Sequence, residues 1–252
     1  MTTISVVIPA YNDAEMLRRC LRALSEQIRE ADEVIVVDNA STDDTAAVAR
    51  AAGATLLSEP VQGIWPAASR GYDAARGDII ARLDADSIPP ADWTMHLEAE
   101  FTADPGTAVI TGPGDFYDGS AIAVFLGKYL YIGGYFWSMS IWLDHSPIFG
   151  SNFAMRREVW EQARGTVHRD MRAVHDDLDL SFALQPGDVV LYDPTLRVGI
   201  SGRPFSSWRG FGRRLHWAYL TLRMHWPQDS PWRRRQARKA LVENGDDATA
   251  WS

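Results

Sequence analysis

The chain is 252 residues long with 46% hydrophobic and 23% charged residues, which allows one sizeable α/β domain or two small ones and excludes wholesale disorder. Its formal charge of −8 is unevenly spread: residues 1–200 hold 15 Lys/Arg against 29 Asp/Glu, whereas residues 201–239 hold ten Lys/Arg and a single acid, Asp229. An acidic body argues against nucleic acid as the main partner, because backbone phosphates require basic residues across the binding surface, while the basic tail suits an anionic membrane face.

Met1 leads straight into an apolar run over 4–8, with no basic segment and apolar core ahead of it, which predicts no signal peptide. The lone Cys20 excludes an intrachain disulfide framework and fits a reducing compartment. The expected setting is cytoplasmic, with peripheral contact at the inner membrane face left open. After the first strand, Asn12 is placed to cap a helix, with Glu15 three residues on. Met16, Leu17, Cys20, Leu21, Leu24 and Ile28 form its apolar stripe at helical spacing. The continuous apolar run over 34–37 reads as a strand covered on both faces. Ser41 or Thr42 then caps a helix to about Ala52, with Asp43 and Asp44 in its first turn and Gly53 at its end. A strand over 55–57, a helix over 66–75 and a strand over 79–83 continue the series, which predicts a mainly parallel sheet. Ligands of such sheets bind beyond the carboxyl ends of the strands, and here those ends carry Tyr11-Asn12-Asp13, Asp38-Asn39 and Asp84-Ala85-Asp86.

The second half is less regular. Gly112-Pro113-Gly114 breaks the chain, and residues 121–143 are aromatic and aliphatic with one charge, Lys128. That length approaches the roughly 20 residues of a membrane span. Lys128, Gly133-Gly134 and several Ser and Tyr residues favour instead an amphipathic segment, buried on the domain or lying at an interface. A strand over 153–155 follows Gly150-Ser151-Asn152, whose small residues allow close backbone approach to a ligand or simply make a turn.

Asp84 and Asp86 directly follow a strand. On extended backbone two carboxylates two residues apart point the same way and can share one hard cation, Mg²⁺ or Mn²⁺, whose shell is completed by phosphate oxygens and water. A turn or a helix cap uses the same residue types.

The stretches "VVIPAYND", "VIVVDNASTDDT", "AARGDIIARLDADSIPP", "GSNFAMRREVW" and "HDDLDL" occur in order over most of residues 4–200. Together they resemble the family-2 glycosyltransferases of the GT-A fold. The resemblance implies a Rossmann-like nucleotide-binding mixed sheet flanked by helices. It implies a catalytic domain over 1–205, with a nucleotide-sugar half over 1–118 and an acceptor half over 119–205, then a basic, aromatic helical extension over 206–252. It further implies that Pro9, Ala10, Tyr11, Asp13 and Asp38 hold the nucleoside. Asp84, Ala85 and Asp86 would meet the ribose and a diphosphate-bound Mn²⁺ or Mg²⁺, and Gly150, Ser151 and Asn152 would lie under the sugar. Asp177 would be the catalytic base, with Asp176 beside it where the family usually has Glu. At Ala67-Ala68-Ser69 the family's common Arg-Asn pair is missing, and Arg70 or Arg82 is the candidate replacement near phosphate.

These residue types suit glycosyl transfer. A divalent cation stabilises the leaving diphosphate without proton transfer, so one carboxylate base for the acceptor hydroxyl suffices, whereas a glycosidase needs a carboxyl pair. Attack opposite the leaving group inverts the anomeric centre. The expected partners are a nucleotide-diphosphate sugar donor and a hydroxyl acceptor, lipid-linked or on a cell-surface glycan. The acids at 176, 177 and 179 also suit a helix N-terminus. His216, in "RRLHW", is the candidate for a late metal ligand, with His225 next. The stretch over 231–239 reads as a solvated helix face or a lipid-docking segment, with Trp137, Trp142, Trp208, Trp217, Trp226 and Trp232 enriching the same half. A sugar nucleotidyltransferase would share the sheet and metal but want a Gly-rich, basic loop after the first strand, which Pro9-Ala10-Tyr11-Asn12 is not. A non-catalytic nucleotide-sugar-binding subunit is the remaining alternative.

Overall fold

A computed structural model describes residues 2–118, 133–171, 174–203 and 208–243. Strand and helix alternate through β1 (Ile4–Ala10), α1 (Ala14–Ser25), β2 (Glu33–Asp38), α2 (Thr45–Ala51), β3 (Thr55–Ser58), α3 (Ile64–Ala74) and β4 (Ile79–Leu83). Then come α4 (Trp93–Ala103), β5 (Thr107–Thr111), β6 (Gly114–Phe116), α5 (Gly133–Leu143), β7 (Asn152–Arg156), α6 (Arg157–Ala163), α7 (Asp176–Ala183), β8 (Val189–Tyr192), β9 (Val198–Ile200), α8 (Trp208–His225) and α9 (Pro231–Glu243).

Seven strands form one mixed sheet in the order β3-β2-β1-β4-β7-β5-β8. β1 to β4 run parallel, β7 runs antiparallel between β4 and β5, and β8 is parallel to β5. Strand side chains alternate between two buried layers. Ile4, Val6 and Ile8 join Leu17, Leu21, Trp93 and Leu97 beneath α1 and α4. Val7, Ile35, Val37 and Ile80 join Trp65, Tyr72, Trp160 and Leu180 beneath α3, α6 and α7. Helices on both faces are why these strands read as unbroken apolar runs. α3 lies so close to the sheet that a Cβ on Gly71 would sit 2.3 Å from Val7 Cγ1.

The helix starts differ from the sequence expectation. Asn12 does not cap α1: it takes a left-handed φ of 48°, which Asn tolerates, and its Oδ1 accepts the Thr42 N–H at 2.7 Å. Asn12 thus ties the β1–α1 turn to the β2–α2 loop. α2 starts at Thr45, after both expected caps, with Asp43 Oδ1 accepting the Thr45 N–H at 3.0 Å. α3 begins at Ile64, because Pro66 is compatible with a first helical turn.

Of the apolar stretch 121–143, the residues before 133 lie outside the described residues, and the rest is α5. Among the described residues no helix is long and apolar enough to cross a membrane. The basic tail is partly used inside the fold. Arg234 Nε donates to Leu143 O at 2.9 Å, Arg235 to Ile141 O at 3.2 Å, and Arg238 to Asp144 O. Three guanidinium groups thereby cap the carbonyl end of α5, where a helix dipole favours positive charge.

Candidate active site

The sheet topology gathers the site. β1 lies between β2 and β4, with Ala10 opposite Asp38 and Val7 opposite Arg82. The carboxyl ends of three adjacent parallel strands therefore carry Tyr11 and Asp13, Asp38, and Asp84 to Asp86 along one edge. Successive strands diverge here, the position where α/β sheets bind ligands. β7 enters from the opposite direction, so Asn152 pairs with Leu83 and the preceding Gly150-Ser151 lands beside Asp84. α7 then brings Asp176 and Asp177 up to the same loop.

Asp84 is held at both oxygens: Oδ2 accepts from Ser151 Oγ at 2.6 Å and Oδ1 from Arg82 at 2.9 Å. Residues 84–87 form a turn, with Ser87 N–H donating to Asp84 O at 2.9 Å, so turn geometry and not strand alternation aims the two carboxylates. Burial, with Asp84 nearby, pushes the Asp86 carboxyl up to about 6. Arg203 answers that negative charge, placing one guanidinium nitrogen 2.8 Å from Asp13 Oδ1, and another 2.9 Å from Asp13 Oδ2 and 3.4 Å from Asp86 Oδ2. An all-oxygen acidic cluster that draws in a cationic side chain fits a hard divalent ion.

Arg82 is 2% exposed and joins the two halves of the site. It pairs with Asp84 on one side and Asp176 on the other, beside the Tyr72 hydroxyl at 3.4 Å. These carboxylates hold the guanidinium fully charged despite burial, which alone would favour its neutral form.

Asp177 sits at the first turn of α7. Its Oδ2 accepts the Gly150 N–H at 3.0 Å and its Oδ1 lies 3.7 Å from His175 Nδ1. Burial opposes its ionisation, but the nearby His175 ring and the Gly150 N–H outweigh it and hold the carboxyl below its ordinary value. It is a carboxylate at neutral pH. A Cβ on Gly150 would sit 3.2 Å from Asp177 Oδ2 and press on the carboxylate.

Asp179 has another task. It is fully buried and accepts from Trp65 Nε1 at 2.7 Å, the His168 N–H at 2.8 Å, and the His168 and His225 rings at 2.8 Å. With His225 also bonded to Asp229 at 3.0 Å, this network clamps α8 to α7.

The sequence profile described as "Glycosyl transferase family 2" matches residues 5–163. The chain belongs to glycosyl transferase family 2. Among the relatives of this family-2 chain, the glycosyltransferase AglE of Haloferax volcanii is 36% identical over 114 residues, 42% of this chain and 36% of that protein. An undecaprenyl-phosphate 4-deoxy-4-formamido-L-arabinose transferase of Sodalis glossinidius is 37% identical over 105 residues, 37% of this chain and 32% of that protein. The chain thus spans about a third of the length of these curated relatives. The mannosyltransferase PcManGT of Pyrobaculum calidifontis, solved with GDP-Man and Mn²⁺, superposes with a TM-score of 0.65 at 21% identity, over 99% of this chain and 76% of that one. That likeness is one of fold, the GT-A arrangement.

Several expected residues of the family-2 chain take other places. Asn152 is buried and crosslinks the fold, its Oδ1 accepting from Trp93 Nε1 at 2.9 Å and its Nδ2 donating to Leu196 O at 2.6 Å. It is spent on the fold and does not reach the crevice. Arg70 lies on α3 facing Glu59 at 4.0 Å, outside the Asp84–Asp86 network, so Arg82 is the arginine brought to the site. His216 is exposed and belongs to no grouping of potential metal ligands among the described residues, whereas His225 forms one with His168 and Asp179, where it is hydrogen-bonded to Asp179. Arg203 and His175 were missed. A histidine two residues before Asp177 was a readable signal; nothing local marks Arg203.

Proposed function

We propose that this chain is an inverting, metal-dependent glycosyltransferase that moves a sugar from a nucleotide-diphosphate donor to a hydroxyl acceptor, with Asp177 as general base. The observation that carries the reading is the Asp177 carboxylate held by the Gly150 N–H, on the loop that also ties Ser151 to Asp84. Tyr11, Asp13 and Asp38 are the candidates to bind the nucleoside, with Pro9 and Ala10 supplying the backbone edge. Asp84 and Asp86 would hold Mn²⁺ or Mg²⁺, which supplies Lewis-acid stabilisation of the leaving diphosphate. Arg82 fixes Asp84 and Asp176 in register, and Asp177 takes the acceptor proton as the hydroxyl attacks from the face opposite the diphosphate. The PcManGT complex with GDP-Man and Mn²⁺ supports the donor class and the ion. The undecaprenyl-phosphate transferase relative supports a lipid-linked acceptor presented at a membrane face.

The test is Asp177→Asn, which keeps size but accepts no proton. Transfer should fall by about 10² to 10⁴ with donor affinity by calorimetry nearly unchanged. Loss of donor affinity in proportion to rate would make Asp177 a donor or metal ligand instead, and full transfer in EDTA would remove the metal from the reading.

A further inference from the structure

Tryptophan is among the more buried residue types, so exposed ones are informative. Here Trp137 is 72% and Trp232 70% exposed, with Ile141 at 48%. Trp137 and Ile141 stand four apart on α5 and share its outer face, which packing leaves open while Leu143 turns inward. They border a groove of ≈ 420 Å³ lined by Phe136, Trp137, Ser140, Ile141, Ser146 and Tyr192. α9 abuts this face through Arg235, which bonds Ile141 O and lies 3.6 Å from Asp144. On α9, Trp232, Arg235 and Lys239 recur at three- and four-residue spacing and so share one outer face, next to exposed Arg233. Arg234, which reaches Leu143 O and Phe182 O, faces the domain. Between residues 231 and 242 there is no acid at all, and the nearby Asp144 is offset by Arg235 and Arg238.

We propose that the joint outer face of α5 and α9 docks on an anionic lipid bilayer, with Trp137, Ile141 and Trp232 entering the interface and Arg233 and Lys239 meeting headgroups. Charge complementarity selects this occupant: an acidic protein of net charge −8 places five Lys/Arg and no acid between residues 231 and 242, beside an exposed aromatic patch. Aromatic rings with a polar edge, flanked by Lys and Arg, are what the water–lipid boundary favours. The face also lies next to the candidate base. Tyr135 OH donates to Ile148 O at 2.8 Å and Phe136 packs on Phe149, one residue before the Gly150 that holds Asp177. Docking would therefore bring membrane-borne hydroxyl acceptors to the Asp177 side of the crevice, a consequence that rests on the proposed function, whereas the docking itself does not.

The experiment is co-sedimentation of the full chain with vesicles, without donor or acceptor. Phosphatidylcholine vesicles are compared with phosphatidylcholine–phosphatidylglycerol vesicles at low and high salt. The chain should pellet with the anionic vesicles and be released by salt. The double variant Trp137→Ser/Ile141→Ser should weaken binding about ten-fold or more, and Arg233→Gln and Lys239→Gln about five-fold each. All four side chains are surface groups, and an unchanged thermal midpoint with retained nucleotide-sugar binding separates lost docking from lost folding. Parent-level binding by the double variant, equal binding to neutral vesicles, or no binding to anionic vesicles at low salt would each overturn the proposal. Self-association without vesicles that the double variant abolishes would assign the face to a protein contact and overturn it too. None of these outcomes touches the transferase reading, which the Asp177→Asn measurement tests separately.

Discussion

Replacing Arg82 with methionine keeps much of the side chain's length and removes its charge. In the parent the guanidinium is buried between Asp84 and Asp176. Asp84 is about a third exposed and water can replace part of its partner, so its share of the loss is small. Asp176 is 5% exposed and would be left as an uncompensated charge in the interior. Breaking a buried pair from one side costs about 3–5 kcal/mol. At about 2–4 °C per kcal/mol for a chain of this size, the thermal midpoint should fall by about 6–20 °C. Urea denaturation supplies the free energy directly, with an unchanged slope expected if the native state stays intact. The double variant Arg82→Met/Asp176→Asn should recover much of the loss, because it removes the stranded charge together with its partner. A single-variant cost below about 1 kcal/mol would refute the view that Arg82 organises the site, as would a double variant no better than the single.

Gly150→Ala should press a methyl group on Asp177 Oδ2, lowering kcat by about one to two orders of magnitude while nucleotide affinity, read by calorimetry, stays near the parent's. His225 adds a pH dependence: burial opposes its charge, but its bonds to Asp179 and Asp229 outweigh that and raise it above the ordinary 6.5. A raised histidine stabilises the fold fully below its unfolded value and progressively less as pH climbs through its folded value. The thermal midpoint should therefore drop as pH rises above about 6.5, and drop less in His225→Gln. Asp179→Asn should unfold more readily than the parent, because it weakens the carboxylate that four donors share, and a loss of rate without loss of stability would contradict its role as a clamp.

Features written in local patterns were legible in the sequence. The runs over 4–8, 34–37 and 79–83 announce strands covered on both faces, and the acids just after them fall at the crevice because parallel strands end together. Asp177 was singled out through the "HDDLDL" resemblance, and the fold sets it against the Gly150 N–H. What failed depended on partners distant in the chain. Arg203 meets Asp13 across 190 positions, and no spacing rule reports such a pair. Asn152 looked like a donor to a sugar, yet its amide is consumed by Trp93 and by backbone carbonyls that only the folded chain brings near. The basic tail read as free charge because the carbonyl end of α5, which takes up Arg234, Arg235 and Arg238, has no signature in a string of letters.

The antiparallel strand β7 has a consequence for anyone wishing to recombine this protein with a homologue. Its hydrogen-bonded seam with β4 runs from Ile79 opposite Arg156 to Leu83 opposite Asn152, through the middle of the sheet. A crossover placed between residues 118 and 133 would look safe, since it cuts no strand among the described residues. The resulting chimera would nevertheless have to rebuild that seam from two parents, matching Arg82 to an unfamiliar Asp176 and Asp84 to an unfamiliar Ser151. The elements after residue 133 are therefore not a cassette that can be exchanged alone. A working transplant has to carry β4 and its following turn along with β7 and α7.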